Sequence, residues 1–179
     1  ENDSRMNRLL QCWLLCALVI TTGTSCAPDA NRSTRVHLAF LDIIGIQDKR
    51  VTEGVLLDQL KAYTQSENRF LRATAVRALG RLENPAVAST IEILLSNPAP
   101  EVRAEAANAL AQAHFAANGS EALQLLMHQA DIEHEAATLA SIAKSIGRLK
   151  LDRRLEEMAV EALINMSYAD GGASPGEVM

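Results

Sequence analysis

The chain has 179 residues, enough for one domain or one short array of repeats with a substantial core. Alanine and leucine are abundant and only six residues are aromatic, which favours helices and disfavours an aromatic-lined cofactor pocket. The formal net charge of −5 argues against a dedicated nucleic-acid-binding surface.

The first segment of the chain, residues 1–25, has the three-part layout of a secretory signal. Arg5 and Arg8 precede an apolar run over residues 9–20, and small polar residues follow it. At 12 residues, this run is shorter than the ~20 residues that a membrane-spanning helix needs. The layout therefore predicts export of the protein and removal of residues 1–25.

Cys26 stands at the expected cleavage point, at the head of a polar tether over residues 26–33. The segment resembles a bacterial lipoprotein signal, although Gly23 stands where that family usually has leucine. The resemblance implies a periplasmic protein that a lipid on Cys26 anchors to a membrane; plain secretion and an uncleaved anchor are the alternatives. Because Cys12 and Cys16 leave with the signal, we expect neither a disulfide nor a cysteine metal site.

A repeat in the middle of the chain is the strongest internal signal. Residues 70–82 match residues 101–113 at an offset of 31, and Arg72 falls on Arg103. The coincident apolar positions are spaced by four, three, one and three residues, which indicates one face of a helix. They align Leu71, Ala75, Ala78, Leu79 and Leu82 with Val102, Ala106, Ala109, Leu110 and Ala113.

Fainter copies of this helix lie on both sides. The upstream copy, at an offset of 35, aligns Phe40, Ile44 and Gly45 with Ala75, Leu79 and Gly80. The downstream copy, at an offset of 67, aligns Ile142, Ile146, Gly147, Arg148 and Leu149 with Ala75, Leu79, Gly80, Arg81 and Leu82. We expect Gly45, Gly80 and Gly147 to close their helices. A period of 31 to 36 over four copies is typical of a helical solenoid.

Second stretches with an apolar face lie between the copies, so each repeat is predicted to be a helical hairpin. Asn84-Pro85, Asn97-Pro98 and Asn118-Gly119 supply caps and turns between the stretches. The eight helices are predicted near residues 34–46, 52–65, 68–82, 85–96, 100–116, 120–130, 132–149 and 152–166.

The run from Val102 to Leu110 resembles the first-helix motif of HEAT-like repeats, including the group named after phycobilisome lyases. Residues 70–82, followed by Asn84-Pro85, resemble the same motif running into the turn and the second helix. The resemblance implies an all-α fold over residues 34–166, a right-handed α-α superhelix of about four helical hairpins. It leaves residues 167–179 as a flexible tail or the start of a linker.

Chemical sites are sparse in this sequence. The resemblance implies that Arg72 and Arg103 brace adjacent repeats by pairing with an acid or a helix end; a charged ladder for an acidic ligand is the alternative. A serine nucleophile motif and a phosphate-binding glycine loop are absent, so we expect no catalytic site and no cofactor. The scattered histidines show no metal-binding spacing, so no metal site is expected. They are His37, His114, His128 and His134.

A local basic cluster lies near the predicted turn between the last two helices. Acidic residues interleave with it, so a solvated surface is the first interpretation and contact with anionic lipid the alternative. The cluster consists of Lys144, Arg148, Lys150, Arg153 and Arg154.

The second helices line the concave face in HEAT-like solenoids, and this geometry implies a set of partner-facing positions. They are Asp58, Lys61, Glu92, Gln124, His128 and Glu157. The sequence thus predicts a non-catalytic protein–protein interaction scaffold in the cell envelope, which binds another protein and no nucleic acid. The alternative is the HEAT-like leader region of a larger exported enzyme, such as a peptidyl-prolyl isomerase, or a shortened copy of one.

Overall fold

The computed structural model describes residues 30–114 and 119–169, and every regular element in these two ranges is helical. A 3-10 turn, Pro85–Val87, leads directly into the fourth α-helix. The eight α-helices are α1 (Ala30–Asp48), α2 (Val55–Tyr63), α3 (Arg69–Arg81), α4 (Ala88–Leu94), α5 (Pro100–Ala113), α6 (Ser120–Ile132), α7 (Ala136–Ile146) and α8 (Arg153–Ala169). They pack in consecutive pairs, and the predicted all-α fold of four helical pairs is confirmed.

Three sequence predictions lie wholly or partly outside the described residues. The signal over residues 1–25 and the lipidation site Cys26 are outside them, and so is most of the tail. Helix α1 begins at Ala30, so the last residues of the predicted tether are helical. Helix α8 extends to Ala169, into the predicted tail. None of the helices in the described ranges combines the length and the apolar character needed to cross a membrane.

Asparagine and proline set the helix starts in the middle of the chain, which the sequence predicts at Asn84-Pro85 and not at Asn68. The Asn68 side chain accepts hydrogen bonds from the backbone N–H groups of Phe70 (2.9 Å) and Leu71 (3.3 Å) and so caps α3. Asn84 caps the 3-10 turn through the N–H of Ala86, at 3.0 Å. Pro100 is the first residue of α5, a position where no backbone N–H is needed.

The first helices of the middle repeats, α3 and α5, lie unusually close together. Alanines make up more than half of the buried residues of the two helices, including the fully buried Ala75, Ala78 and Ala106. A Cβ atom on Gly80 would lie 2.6 Å from the Cα atom of Ala109, a distance at which the helices would have to separate. Small side chains therefore set the spacing of this layer.

The glycines do not share the role that the sequence predicts for them. Gly80 is inside α3 and is needed for the close approach of α5, and Gly45 is inside α1 with open space around it. The expectation that these two glycines close helices is wrong. Gly147 directly follows α7, so the expectation is confirmed at that position.

The second helices supply larger side chains to the same core. Buried leucines and isoleucines from them pack beneath the first helices in one continuous cluster. They are Leu57, Leu60, Ile91, Leu94, Leu123 and Leu126. A single helical pair leaves such a face open to water, whereas a stack of pairs covers it.

The register of the upstream repeat differs from the predicted one. Ile43 and Ile46 of α1 are in the core, while Phe40 is 40% exposed and Ile44 is 37% exposed. The predicted offset placed these exposed residues on buried positions of α3, and it is therefore wrong. That offset aligns Gly45 with Gly80, but only Gly80 has a packing reason to be glycine. Downstream, buried Ile142 and Ile146 confirm the predicted alignment.

A partly buried carboxylate links the first pair of helices. Asp42 Oδ2 on α1 accepts hydrogen bonds from the Gln59 side chain and, at 2.6 Å, from the Tyr63 hydroxyl, both on α2. The hydrogen bond to Asp42 and partial burial raise the pKa of Tyr63. The phenol therefore stays protonated and remains a donor throughout the ordinary pH range.

Candidate functional site

The repeated arginines bind the turns that precede their own helices. Arg72 Nη1 donates to the carbonyl oxygens of Ser66 (2.7 Å) and Glu67 (3.1 Å). Arg103 Nη1 donates to those of Asn97 (2.9 Å) and Pro98 (3.2 Å), which again lie six and five residues upstream. Each guanidinium thus fixes the turn that connects one helical pair to the next. Both arginines therefore brace a connection between helical pairs, but through turn carbonyl oxygens, where the resemblance implied an acid or a helix end.

Arg103 also forms a two-point ion pair with Glu133. Its Nε donates to Oε2 (2.7 Å) and its Nη2 to Oε1 (2.8 Å). The Glu133 side chain is only 3% exposed, and its Oε1 also accepts from the backbone N–H groups of His134 and Glu135. The hydrogen bonds from Arg103 contribute most to lowering the pKa of Glu133 to about 2. The pair joins α5 to the turn before α7.

Arg72 has no acid in the corresponding place. Asn97, like Glu133, stands three residues before a first helix, and its side chain accepts from the N–H of Ala99 at 3.1 Å. The Nε atom of Arg72 is buried without a hydrogen-bond partner among the described residues. The two arginine positions therefore share the turn contacts but differ in ion pairing.

The six predicted partner-facing residues all lie on second helices. Five are exposed and Lys61 is partly buried. Asp58, Glu92, Gln124 and Glu157 follow one another at intervals of about one repeat, one on each second helix. We call these four residues the acidic row. Lys61 lies outside it because its counterpart in the next repeat is the buried Leu95, and His128 lies one turn further along α6.

The basic cluster near the last turn contains one exposed ion pair and one hydrogen bond to a neutral amide. Arg148 Nη2 donates to Asn108 Oδ1 at 2.8 Å, and Arg153 pairs with Glu157 at 3.5 Å. Of the histidines, His114 is buried and its Nε2 has no partner within residues 30–114 and 119–169. In the same ranges, no three histidine, cysteine or acidic side chains are grouped as metal ligands.

A groove that the sequence did not predict lies between α6 and α8. It has a volume of about 580 Å³. Its apolar lining includes Met127, Leu139, Met158 and Met166, and its polar lining includes Asp131, Glu133, His134, Glu161 and Asn165. We call it the methionine groove. Glu133 and His134 also line a second hollow of about 450 Å³ beside Arg103, so the two hollows adjoin.

The sequence contained one indication of this groove. Met158 and Met166 lie on the apolar side of α8, which no later helix of the described chain covers. Their position opposite Met127 could not be predicted, because it depends on the separation of α6 and α8. Neither His128 nor Glu157 is among the lining residues.

Comparison with known proteins identifies a repeat family. Residues 55–147, just over half of the chain, match a family described as HEAT repeats. The matched region begins at α2 and ends directly after α7, so it includes both arginines and the close contact at Gly80. No curated protein matches the sequence.

Proposed function

Because the chain belongs to the family of HEAT repeats, we propose that it is a non-catalytic scaffold that binds another protein in the bacterial cell envelope. HEAT repeats are generally protein-interaction scaffolds, and stacked helical pairs offer an extended surface for a partner. The distribution of residue types supports the proposal. Alanines, leucines and the two arginines maintain the stack, whereas the exposed face of each second helix is free for recognition.

The acidic row carries this proposal, because it is a repeated polar feature with no packing role. Asp58, Glu92, Gln124 and Glu157 are all exposed, and three of the four carry a carboxylate. A row with this spacing presents the same kind of side chain once per repeat along the array. The partner that it suits is a protein with basic or hydrogen-bond-donating residues along one face.

We expect replacement of all four residues of the acidic row by serine to weaken partner capture by about tenfold or more, since rim charges govern association. The melting temperature should change little, because exposed substitutions of this kind alter stability by about 0.5 kcal/mol or less each. The tagged full chain would be used to capture partners from envelope extract, with quantitative mass spectrometry as the readout.

A matched control removes the same three negative charges elsewhere: it replaces Asp48, Glu53 and Glu67, three exposed acidic residues outside the second helices, by serine. This variant should capture the same partner as the unaltered chain. Equal capture by the acidic-row variant would show that the partner binds elsewhere. Equal loss in both variants would show that binding depends only on overall charge.

Export and lipid anchoring rest on the signal layout and on Cys26. We expect mass spectrometry of the mature protein, produced in a bacterium, to find Cys26 as the first residue with a diacylglycerol group on its sulfur. Replacing Cys26 by serine should release the protein from the membrane fraction. An unmodified N-terminus at Ala27 or beyond would exclude lipidation and leave plain secretion.

A further inference from the structure

The methionine groove offers an apolar floor with acidic edges. Met158 is 38% exposed, and Met127 and Met166 are partly buried beside it. Methionine side chains are flexible and polarisable, so such a floor can accept apolar groups of different shapes. The volume of about 580 Å³ is sufficient for a few large side chains.

The charge around the groove is negative. Glu133 is neutralised by Arg103, but Asp131 and Glu161 have no ion pair among the described residues. Glu135 adds a further carboxylate in the adjoining hollow. The edges therefore attract cations and disfavour anionic lipid and nucleic acid.

Two occupants from the chain itself fit this charge poorly. Residues 170–179 follow α8 directly, but they contain Asp170 and Glu177 and no basic residue. A second copy of the protein carries the same net charge of −5. An external segment with lysine or arginine beside apolar residues has the complementary pattern.

We propose that the methionine groove binds a cationic amphipathic helix of another protein, with apolar residues on Met127, Met158 and Met166 and basic residues beside Asp131 and Glu161. Helices that lay an apolar face into a groove are a common mode of peptide recognition. This inference rests on the proposed scaffold function and specifies the chemistry of one partner segment.

The test uses the full chain and a fluorescent peptide of leucine and lysine, about 18 residues or five helical turns long. A reference peptide has glutamate in place of every lysine. We expect fluorescence anisotropy to show that the lysine peptide binds at least ~10-fold more tightly than the glutamate peptide. Its binding should weaken with added salt. Equal binding of the two peptides would overturn the proposal.

Two variants assign the binding to the groove. The double variant Asp131→Lys with Glu161→Lys should weaken binding of the lysine peptide about tenfold or more and strengthen binding of the glutamate peptide. Met158→Gln alters the apolar floor of the groove without changing its charge and should also weaken binding of the lysine peptide. The control, Asp48→Lys with Glu53→Lys, makes the same change of charge elsewhere and should have less than about a twofold effect.

Three results would overturn the proposal. One is an equal loss of peptide binding in the control, which would indicate a response to net charge alone. The second is no effect of any groove variant on the lysine peptide, with thermal unfolding showing that all variants fold. The third is a dimer in sedimentation that Glu161→Lys abolishes, because the occupant would then be a second copy. If the groove proposal fails in one of these ways while partner capture still depends on the acidic row, the proposed scaffold function stands and only the proposed occupant of the groove is wrong.

Discussion

Replacement of Arg103 by alanine is expected to lower the free energy of unfolding by about 3–5 kcal/mol, the usual loss when one member of a buried ion pair is removed. The substitution leaves the carboxylate of Glu133, which is 3% exposed, without its partner. It also releases the carbonyl oxygens of Asn97 and Pro98. Urea unfolding monitored by circular dichroism measures the change.

Arg72→Ala is the matched control, because this arginine makes the same turn contacts without an acidic partner. We expect a loss of about 1–3 kcal/mol, typical of charged hydrogen bonds alone. An equal loss in both variants would show that the Glu133 pair adds nothing to stability. In Arg103→Ala with Glu133→Leu, part of the stability should return, since no buried carboxylate remains.

Acid should narrow the difference in the free energy of unfolding between the unaltered chain and Arg103→Ala. The pKa of Glu133 is about 2 in the folded protein, against 4.5 for an ordinary glutamate. Since each pH unit of that difference corresponds to ~1.4 kcal/mol, the ionised Glu133 with all its contacts contributes roughly 3 kcal/mol above pH 4.5, and the hydrogen bonds from Arg103 are the largest part. The contribution is lost as the pH falls from 4.5 towards 2. A difference between the two proteins that is constant over this range would contradict the ion-pair explanation.

Gly80→Ala is expected to destabilise the protein by about 1–3 kcal/mol, although alanine is normally the better helix former. The added Cβ would lie 2.6 Å from the Cα of Ala109 and 2.7 Å from its Cβ. Because the first contact is with backbone, no change of side-chain rotamer can relieve it. Thermal unfolding should show a melting temperature lower by several degrees.

Gly45→Ala is the control for this prediction. Gly45 is also inside a helix, but a Cβ atom at that position meets nothing within 4 Å. The same substitution should therefore stabilise the protein by about 0.5–1 kcal/mol through the gain in helix propensity. If Gly80→Ala were also stabilising, the close approach of α3 and α5 would not limit the choice of residue.

The helices could be predicted because their starts depend on contacts within a few turns of chain, whereas the bracing role of the repeated arginines was implied by the resemblance to HEAT-like repeats. Asn84, Pro85 and Pro100 mark helix starts locally, and Arg72 and Arg103 bond to residues five and six positions away. Glu133 could not be identified as a partner because it lies about one repeat away from Arg103, in a turn of unpredicted geometry. Gly45 and Gly80 look equivalent in sequence, and only packing separates them.

The methionine groove required knowledge of distances between helices. Met127 and Met158 both follow the helical period of a buried face, so the sequence assigns them to the core. They remain accessible because α6 and α8 leave a groove of about 580 Å³ between them. Side-chain size along a helix can be read from sequence, but the gap that remains between two helices cannot.

The turn contacts of Arg72 and Arg103 have a consequence for how such arrays change length. Each arginine bonds to carbonyl oxygens of the turn directly before its own helix, and we call the arginine with this turn a clamp. A duplicated segment of about one repeat therefore contains a complete clamp. Insertion or deletion of a whole helical pair would leave the remaining clamps intact. Insertion of a few residues into one of these turns would separate the guanidinium from both carbonyls. Variation by whole repeats should therefore keep these turn contacts, whereas a small insertion before α3 or α5 should cost the stability that the contacts of that arginine contribute.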